Sequence, residues 1–168
     1  MKKISKKNNK EVIIPLAQVL ENGIWSLEVV FNNIMEGFAG IGIVRNSYTI
    51  TDKCESWKNP FNKNAIFTDD GYNERGKVTH NGKGTAGNKG FTDSQIVRLE
   101  MNFNNGTLTF FYEGVQQPVY VTGINEKVKF YITINRSCNT CTIRTLKKLS
   151  VPTAQYKQNG IPVQWCQI

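Results

Sequence analysis

Residues 95–112 read QIVRLEMNFNNGTLTFFY, and a hairpin is written in them. Val97, Leu99, Met101 and Phe103 alternate with Arg98, Glu100 and Asn102. That period of two belongs to a strand with one apolar face. Asn104-Asn105-Gly106 interrupts the alternation with residues that tolerate positive φ, as a tight turn requires. Thr107–Tyr112 then returns with Leu108, Phe110 and Tyr112 directed inward.

The same grammar extends in both directions. Glu113-Gly114 turns again, and Pro118–Thr122, Val128–Ile134 and Thr140–Leu146 continue the series. Upstream, Ile24–Phe31 places Trp25, Leu27, Val29 and Phe31 on one face. Phe38–Val44 is a further strand with Gly40 and Gly42 inside it, and glycine within a strand marks a bulge or a close backbone approach. Ala65–Phe67 and Lys77–His80 are short strands, and Glu11–Gln18 is mixed and apolar. Residues 45–63 form a long polar stretch, and the glycine-rich Gly82–Asp93 is expected to be irregular. No helical periodicity runs for about ten residues, so the fold class is all-β, an antiparallel sandwich or barrel. The chain divides into a basic leader (1–10), a β-sandwich (11–149) and an extended tail (150–168). Trp165 near the end of the tail implies that the tail docks on the domain.

The chain has 168 residues, 39% hydrophobic and 20% charged, which suits one folded domain with a real core. The net charge is +8, and its placement is uneven. Residues 1–10 carry five lysines (Lys2, Lys3, Lys6, Lys7 and Lys10) and no acid. Residues 130–168 carry Arg136, Arg144, Lys147, Lys148 and Lys157, again with no acid. The stretch between them is slightly acidic. Basic ends of this kind favour acidic partners. No apolar run is long enough for a transmembrane helix, and the lysine-rich start lacks the apolar core of a secretion signal. The expectation is a cytoplasmic protein with no membrane partner.

Several chemistries can be set aside. Cys138-Asn139-Thr140-Cys141 is a C-x-x-C without a second pair, and His80, the one histidine, is distant, so zinc spacing fails. The motif lies between strand-like runs and reads as a hairpin tip rather than a redox helix start. Gly82-Lys83-Gly84-Thr85-Ala86-Gly87 fits G-x-G-x-x-G but lacks the strand–helix context of a dinucleotide site. Asp69-Asp70 and Glu74 lack the EF-hand pattern. His80 has no nucleophile arranged beside it. No catalytic set, metal site or cofactor is expected. Basic residues are not interleaved with exposed aromatics, which argues against sequence-specific nucleic-acid binding.

From Gly23 to about Leu149 the chain resembles the SPRY domain family. Gly23-Ile24-Trp25-Ser26-Leu27-Glu28-Val29 is similar to the family's opening strand, and Gly40-Ile41-Gly42-Ile43 to the glycine-containing strand after it. Lys77-Val78-Thr79-His80-Asn81-Gly82 resembles the short strand ending in His and Gly, and Ile96–Phe111 the family's hairpin. Glu113-Gly114 stands where the family has Asn-Gly, Gly90-Phe91-Thr92-Asp93 replaces its Gly-Asp, and residues 122–134 resemble its closing strand. The resemblance implies a bent antiparallel β-sandwich of concanavalin-like jelly-roll type. It also implies non-catalytic recognition of a peptide or protein partner through loops at one end.

Read from the loops themselves, segments 45–63 and 69–93 supply the candidate partner-binding residues. Trp57 and Tyr72 are the aromatic anchors, because aromatics give large contact area at low entropic cost. Arg45, Tyr48, Arg75 and Lys83 add polar contacts. The alternative is a scaffold component of a large acidic assembly, with the basic leader holding an acidic polymer such as tubulin in a cytoskeletal structure. A sugar-binding sandwich is a third reading.

Overall fold

The computed structural model describes residues 1–34, 38–69, 76–135, 139–155 and 157–165. Among these residues, thirteen strands and one short helix run in the order β1 (Lys2–Ser5), β2 (Val12–Leu20), β3 (Ile24–Asn32), β4 (Ala39–Arg45), α1 (Phe61–Asn64), β5 (Ala65–Asp69), β6 (Val78–His80), β7 (Lys83–Thr85), β8 (Ile96–Asn102), β9 (Thr107–Tyr112), β10 (Val115–Thr122), β11 (Val128–Ile134), β12 (Thr140–Leu149) and β13 (Ile161–Gln164). They form a seven-stranded sheet, β1-β12-β3-β8-β9-β10-β13, and a six-stranded sheet, β2-β11-β4-β5-β6-β7. Every pairing is antiparallel except β10 with β13, which is parallel.

The sheets face each other through the alternating apolar residues of the sequence. Leu27, Val29 and Phe31 of β3, Val97, Leu99 and Met101 of β8, and Leu108 and Phe110 of β9 have no exposed surface. They share one core with Ile41, Ile43, Ile66, Phe130 and Ile132 of the other sheet. Each such side chain contributes roughly 1.5–3 kcal/mol by leaving water. The 95–112 hairpin is in the expected register, Met101 opposite Leu108 and Asn102 opposite Thr107. Its turn uses Gly106 at φ 61° and the Asn102 side chain, which accepts from the Asn104 and Asn105 amides. Glu113 and Gly114 both have positive φ, the geometry that fits a two-residue turn to strand twist. Gly42 is the close approach the sequence suggested: a Cβ there would stand 1.9 Å from the Ile66 carbonyl oxygen of β5.

Two readings are corrected. Residues 83–85 of the glycine-rich segment are a strand: Asn81 and Gly82, both at positive φ, turn the chain so that β7 pairs with β6 at the sheet edge, Gly84 opposite Thr79. Strands β11 and β12 are not the two arms of a hairpin, as the reading of Cys138–Cys141 as a hairpin tip required: β11 lies in the six-stranded sheet and β12 in the other. Residues 2–5 of the basic leader pair with β12. The polar face of β8 is covered. Glu100 is only 1% exposed because the tail lies over it. Its carboxylate accepts from the Thr153 and Ala154 amides and from Arg98, whose guanidinium lies 3.5 Å over the Phe111 ring.

Candidate functional site

The outer face of the six-stranded sheet carries a second apolar cluster of Ile13, Val44, Phe61, Ala65, Phe67 and Tyr131. Residues 46–64 lie over it. Tyr48 and Tyr131 each meet the Phe61 ring edge to face, at 5.9 and 5.2 Å. Ile50 and Cys54 pack on the same cluster. The long polar segment therefore follows a fixed course, because its few apolar side chains have one place to go.

Glu11 fastens the segment. Its carboxylate accepts from the Ser56 amide at 3.2 Å and from the Thr133 hydroxyl at 2.8 Å, joining loop, β11 and the entry to β2. The Tyr48 hydroxyl lies 3.4 Å from Cys54 Sγ. Burial, then the bond to Cys54, pushes Tyr48 up to about 12. Burial pushes the Cys54 thiol up, but hydrogen bonds from Tyr48 and Thr51 outweigh it and leave the thiol below its ordinary value.

Between this segment and the start of β2 run two adjoining hollows of about 380 and 420 Å³, sharing Lys10, Glu11, Asp52 and Cys54. Val12, Pro15 and Ile50 give one apolar walls. Trp57 stands on the rim of the other with Lys53 and Glu55. Trp57 is 61% exposed, although Lys58 Nζ sits 4.3 Å from its ring centre and Asn62 Nδ2 holds its carbonyl at 2.9 Å. The groove thus offers an exposed aromatic, a partly apolar floor and a rim of both charges. Such a surface suits an extended peptide or a loop of a folded partner.

The predicted residues separate. Trp57 and Lys10 line the groove, and Tyr48 supports it from beneath. Arg45 is withdrawn from the candidate surface by burial: it is 5% exposed, ion-paired with Glu126, and lies 4.8 Å over the Trp165 ring. Lys83 is exposed on the edge strand β7, away from the groove. Tyr72 and Arg75 fall outside the described residues, as do Cys138 and Cys166. In the leader, Lys2, Lys3 and Lys7 are exposed, whereas Lys6 donates to the Asn135 carbonyl at 2.8 Å. Cys141 is buried in β12, and burial raises its thiol to about 12.

Sequence reading missed Glu11, whose one signal was to be the first acid after five lysines. It also missed the destination of Trp165. That indole is 1% exposed, stacks on His80 at 5.1 Å and 13°, and donates to Glu126 at 2.8 Å. His80 Nδ1 lies 2.9 Å from the Ala65 carbonyl, so the single histidine ties the tail to the sheet. Burial, chiefly, holds its pKa below the ordinary value. No group of three or more potential metal ligands exists among the described residues, and no helix there is long and apolar enough to cross a membrane.

No family model matches the sequence, and no curated protein matches it. Solved structures do. The SPRY domain of human HERC1 superposes with a TM-score of 0.63 over 86% of this chain and 87% of that one, at 10% identity. The fold is SPRY. The TRIM65 PSpry domain aligns with a TM-score of 0.58 over 79% of this chain and 70% of that one, at 14% identity. Stonustoxin aligns at 0.52 over 78% of this chain and 20% of its own length, at 15% identity. The SPRY fold here carries two outer coverings, residues 46–64 on one sheet and the tail on the other.

Proposed function

We propose that this SPRY-fold chain is a non-catalytic binding module that takes a peptide or protein segment into the groove between β2 and residues 46–60. The carrying observation is Trp57, exposed on the rim of a groove whose covering loop is fastened by the half-buried bonds of Glu11. A large aromatic on a fixed loop has little ordering cost left when a partner arrives. The resemblance to SPRY domains supports the same reading. The half-buried free thiol of Cys54 and the buried one of Cys141 fit a reducing, cytoplasmic setting.

One observation favours a second reading, in which an acidic polymer such as tubulin is held by the basic ends. Pairing of β1 with β12 sets Lys2 and Lys3 opposite Ile143 and Thr142 and brings the leader beside Arg144. The two acid-free ends of the chain thus meet at one sheet edge. Affinity purification of the tagged protein from its own cells at low and high salt separates the readings. Compared with wild type are Trp57→Ala and the triple charge change Lys2→Gln, Lys3→Gln, Lys7→Gln. Partners that persist in high salt and vanish with Trp57→Ala support the groove. Partners lost with salt and with the lysines, but indifferent to Trp57, support the basic edge.

A further inference from the structure

A third concavity, of about 260 Å³, lies where the tail crosses the outer face of the seven-stranded sheet. Thr107 and Thr109 of β9 and Tyr120 and Thr122 of β10 line it, with Asn105 from the hairpin turn. Pro152 and Ala154 of the tail form the facing wall. This wall is held firmly: Glu100 accepts from the Thr153 and Ala154 amides, and the Gln116 amide exchanges two hydrogen bonds with the Gln155 backbone, at 2.7 and 2.8 Å. The tail is thus a fastened side to the trough.

Its chemistry is narrow. Among the described residues no carboxylate lines it, so a cationic ligand finds no counter-charge there. The one cation among its described lining residues, Lys157, already donates to the Gln116 carbonyl. The hydroxyls of Thr107, Thr109, Tyr120 and Thr122 bond to no other described residue. Thr109 is only 5% exposed, yet it lines this space. Each hydroxyl can donate and accept at once, and the Asn105 amide adds both functions. The Tyr120 ring and the prolines Pro118 and Pro152 supply apolar patches between these polar points. A ligand that matches this pattern alternates hydroxyls with C–H faces. The volume lies below the ~300–1,000 Å³ typical of drug-sized pockets, which suits a single ring.

We propose that this trough binds a neutral polyol the size of one pyranose ring, either free or at the end of a glycan. The site is separate from the groove at Trp57 and does not depend on it. The test is a two-dimensional amide NMR titration of the full chain with glucose, galactose, mannose and N-acetylglucosamine. The same titration with disaccharides ending in whichever of these binds distinguishes a free sugar from a glycan end. The expected result is a dissociation constant of ~1–10 mM for at least one sugar, as the efficiency of small ligands allows. Shifts should centre on Thr107, Thr109, Tyr120 and Thr122. Thr109→Val keeps the shape, removes one hydroxyl and should weaken binding about fivefold to tenfold. Tyr120→Phe, at a half-buried position, should do the same and serves if the first variant loses its folded spectrum. Trp57→Ala should leave the titration unchanged. No shifts with any sugar at ~50 mM, well above that range, would reduce the trough to a water-filled gap and overturn the proposal. Shifts that survive both hydroxyl-removing variants, or that map to the Trp57 groove, overturn it equally.

Discussion

Trp165→Ala should cost the domain a large part of its stability, although only three residues of the sequence follow it. The indole is 1% exposed, stacked on His80 and covered by the Arg45 guanidinium. Truncating a fully buried Trp to Ala costs about 3–5 kcal/mol, of which the lost indole N–H bond to the Glu126 carboxylate is one part. Domains of this kind are stable by about 5–15 kcal/mol in all. At this chain length the loss corresponds to a fall in melting temperature of roughly 6–20 °C. Trp165→Phe keeps a ring on His80 but surrenders the bond to Glu126, so about 1.5–3 kcal/mol is expected. Urea unfolding followed by far-ultraviolet circular dichroism measures both. Limited proteolysis then reports whether residues 150–165 become accessible in the Ala variant before the sheets do. A loss under about 1 kcal/mol for Trp165→Ala, a value ordinary for surface positions, with unchanged proteolysis, would refute the claim that this stack fastens the tail.

Gly42→Ala should leave little folded protein, or cost at least about 3 kcal/mol, because its Cβ would enter the Ile66 carbonyl of β5; expression level and thermal unfolding check it. Trp57→Ala should change stability by no more than about 0.5 kcal/mol while reducing partner capture at least tenfold, measured by melting and by pull-down on the same preparation. His80 is held below its ordinary pKa of 6.5 in the fold, so below that pH the unfolded chain takes the proton first. Stability should therefore be complete above about pH 7 and decline as the pH falls from 6.5 through the lower folded value. His80→Gln should flatten that part of the curve in urea titrations at stepped pH.

The sandwich was legible because its core is written with a period of two. Leu27, Val29 and Phe31, or Val97, Leu99 and Met101, can bury together only from strands, and the positive-φ turns at Gly106 and Glu113-Gly114 join neighbours. The SPRY resemblance rested on those segments and agrees with the fold found. Sheet membership was not legible. Val128–Ile134 and Thr140–Leu149 both read as strands and are neighbours in sequence, yet they enter different sheets, a choice made by pairing partners far along the chain. The fate of Arg45 was hidden for a similar reason. It ends β4 in a polar context, and only the arrival of Trp165 and Glu126, 120 and 81 residues away, buries it. The exposure of Trp57 was legible because nothing in its own segment gives it a core position. Glu11 was not, because its bonds go to Ser56 and Thr133, separations of 45 and 122 residues.

The two coverings bear directly on how such a module can specify a partner. In a bare sandwich the outer faces are sheet, and their side chains are tied to strand register. Here residues 46–64 close one outer face and residues 150–157 cross the other. Each covering is fastened by a carboxylate that accepts backbone amides, the half-buried Glu11 for the first and the buried Glu100 for the second. A carboxylate that bonds amides fixes the path of a segment without fixing its side chains, since every residue but proline offers the same N–H. The exposed positions along both segments can then vary at little cost to the fold, and Trp57 and Lys53 stand at such positions. Replacing Glu11 with Gln tests this division of labour. The charge-assisted bonds weaken by about 1–2 kcal/mol, the loop 46–60 loosens, and partner capture falls even though Trp57 is intact. Capture that stayed at the wild-type level while amide exchange in residues 50–58 rose would mean that the partner itself orders the loop, and that preorganisation by Glu11 contributes nothing to recognition.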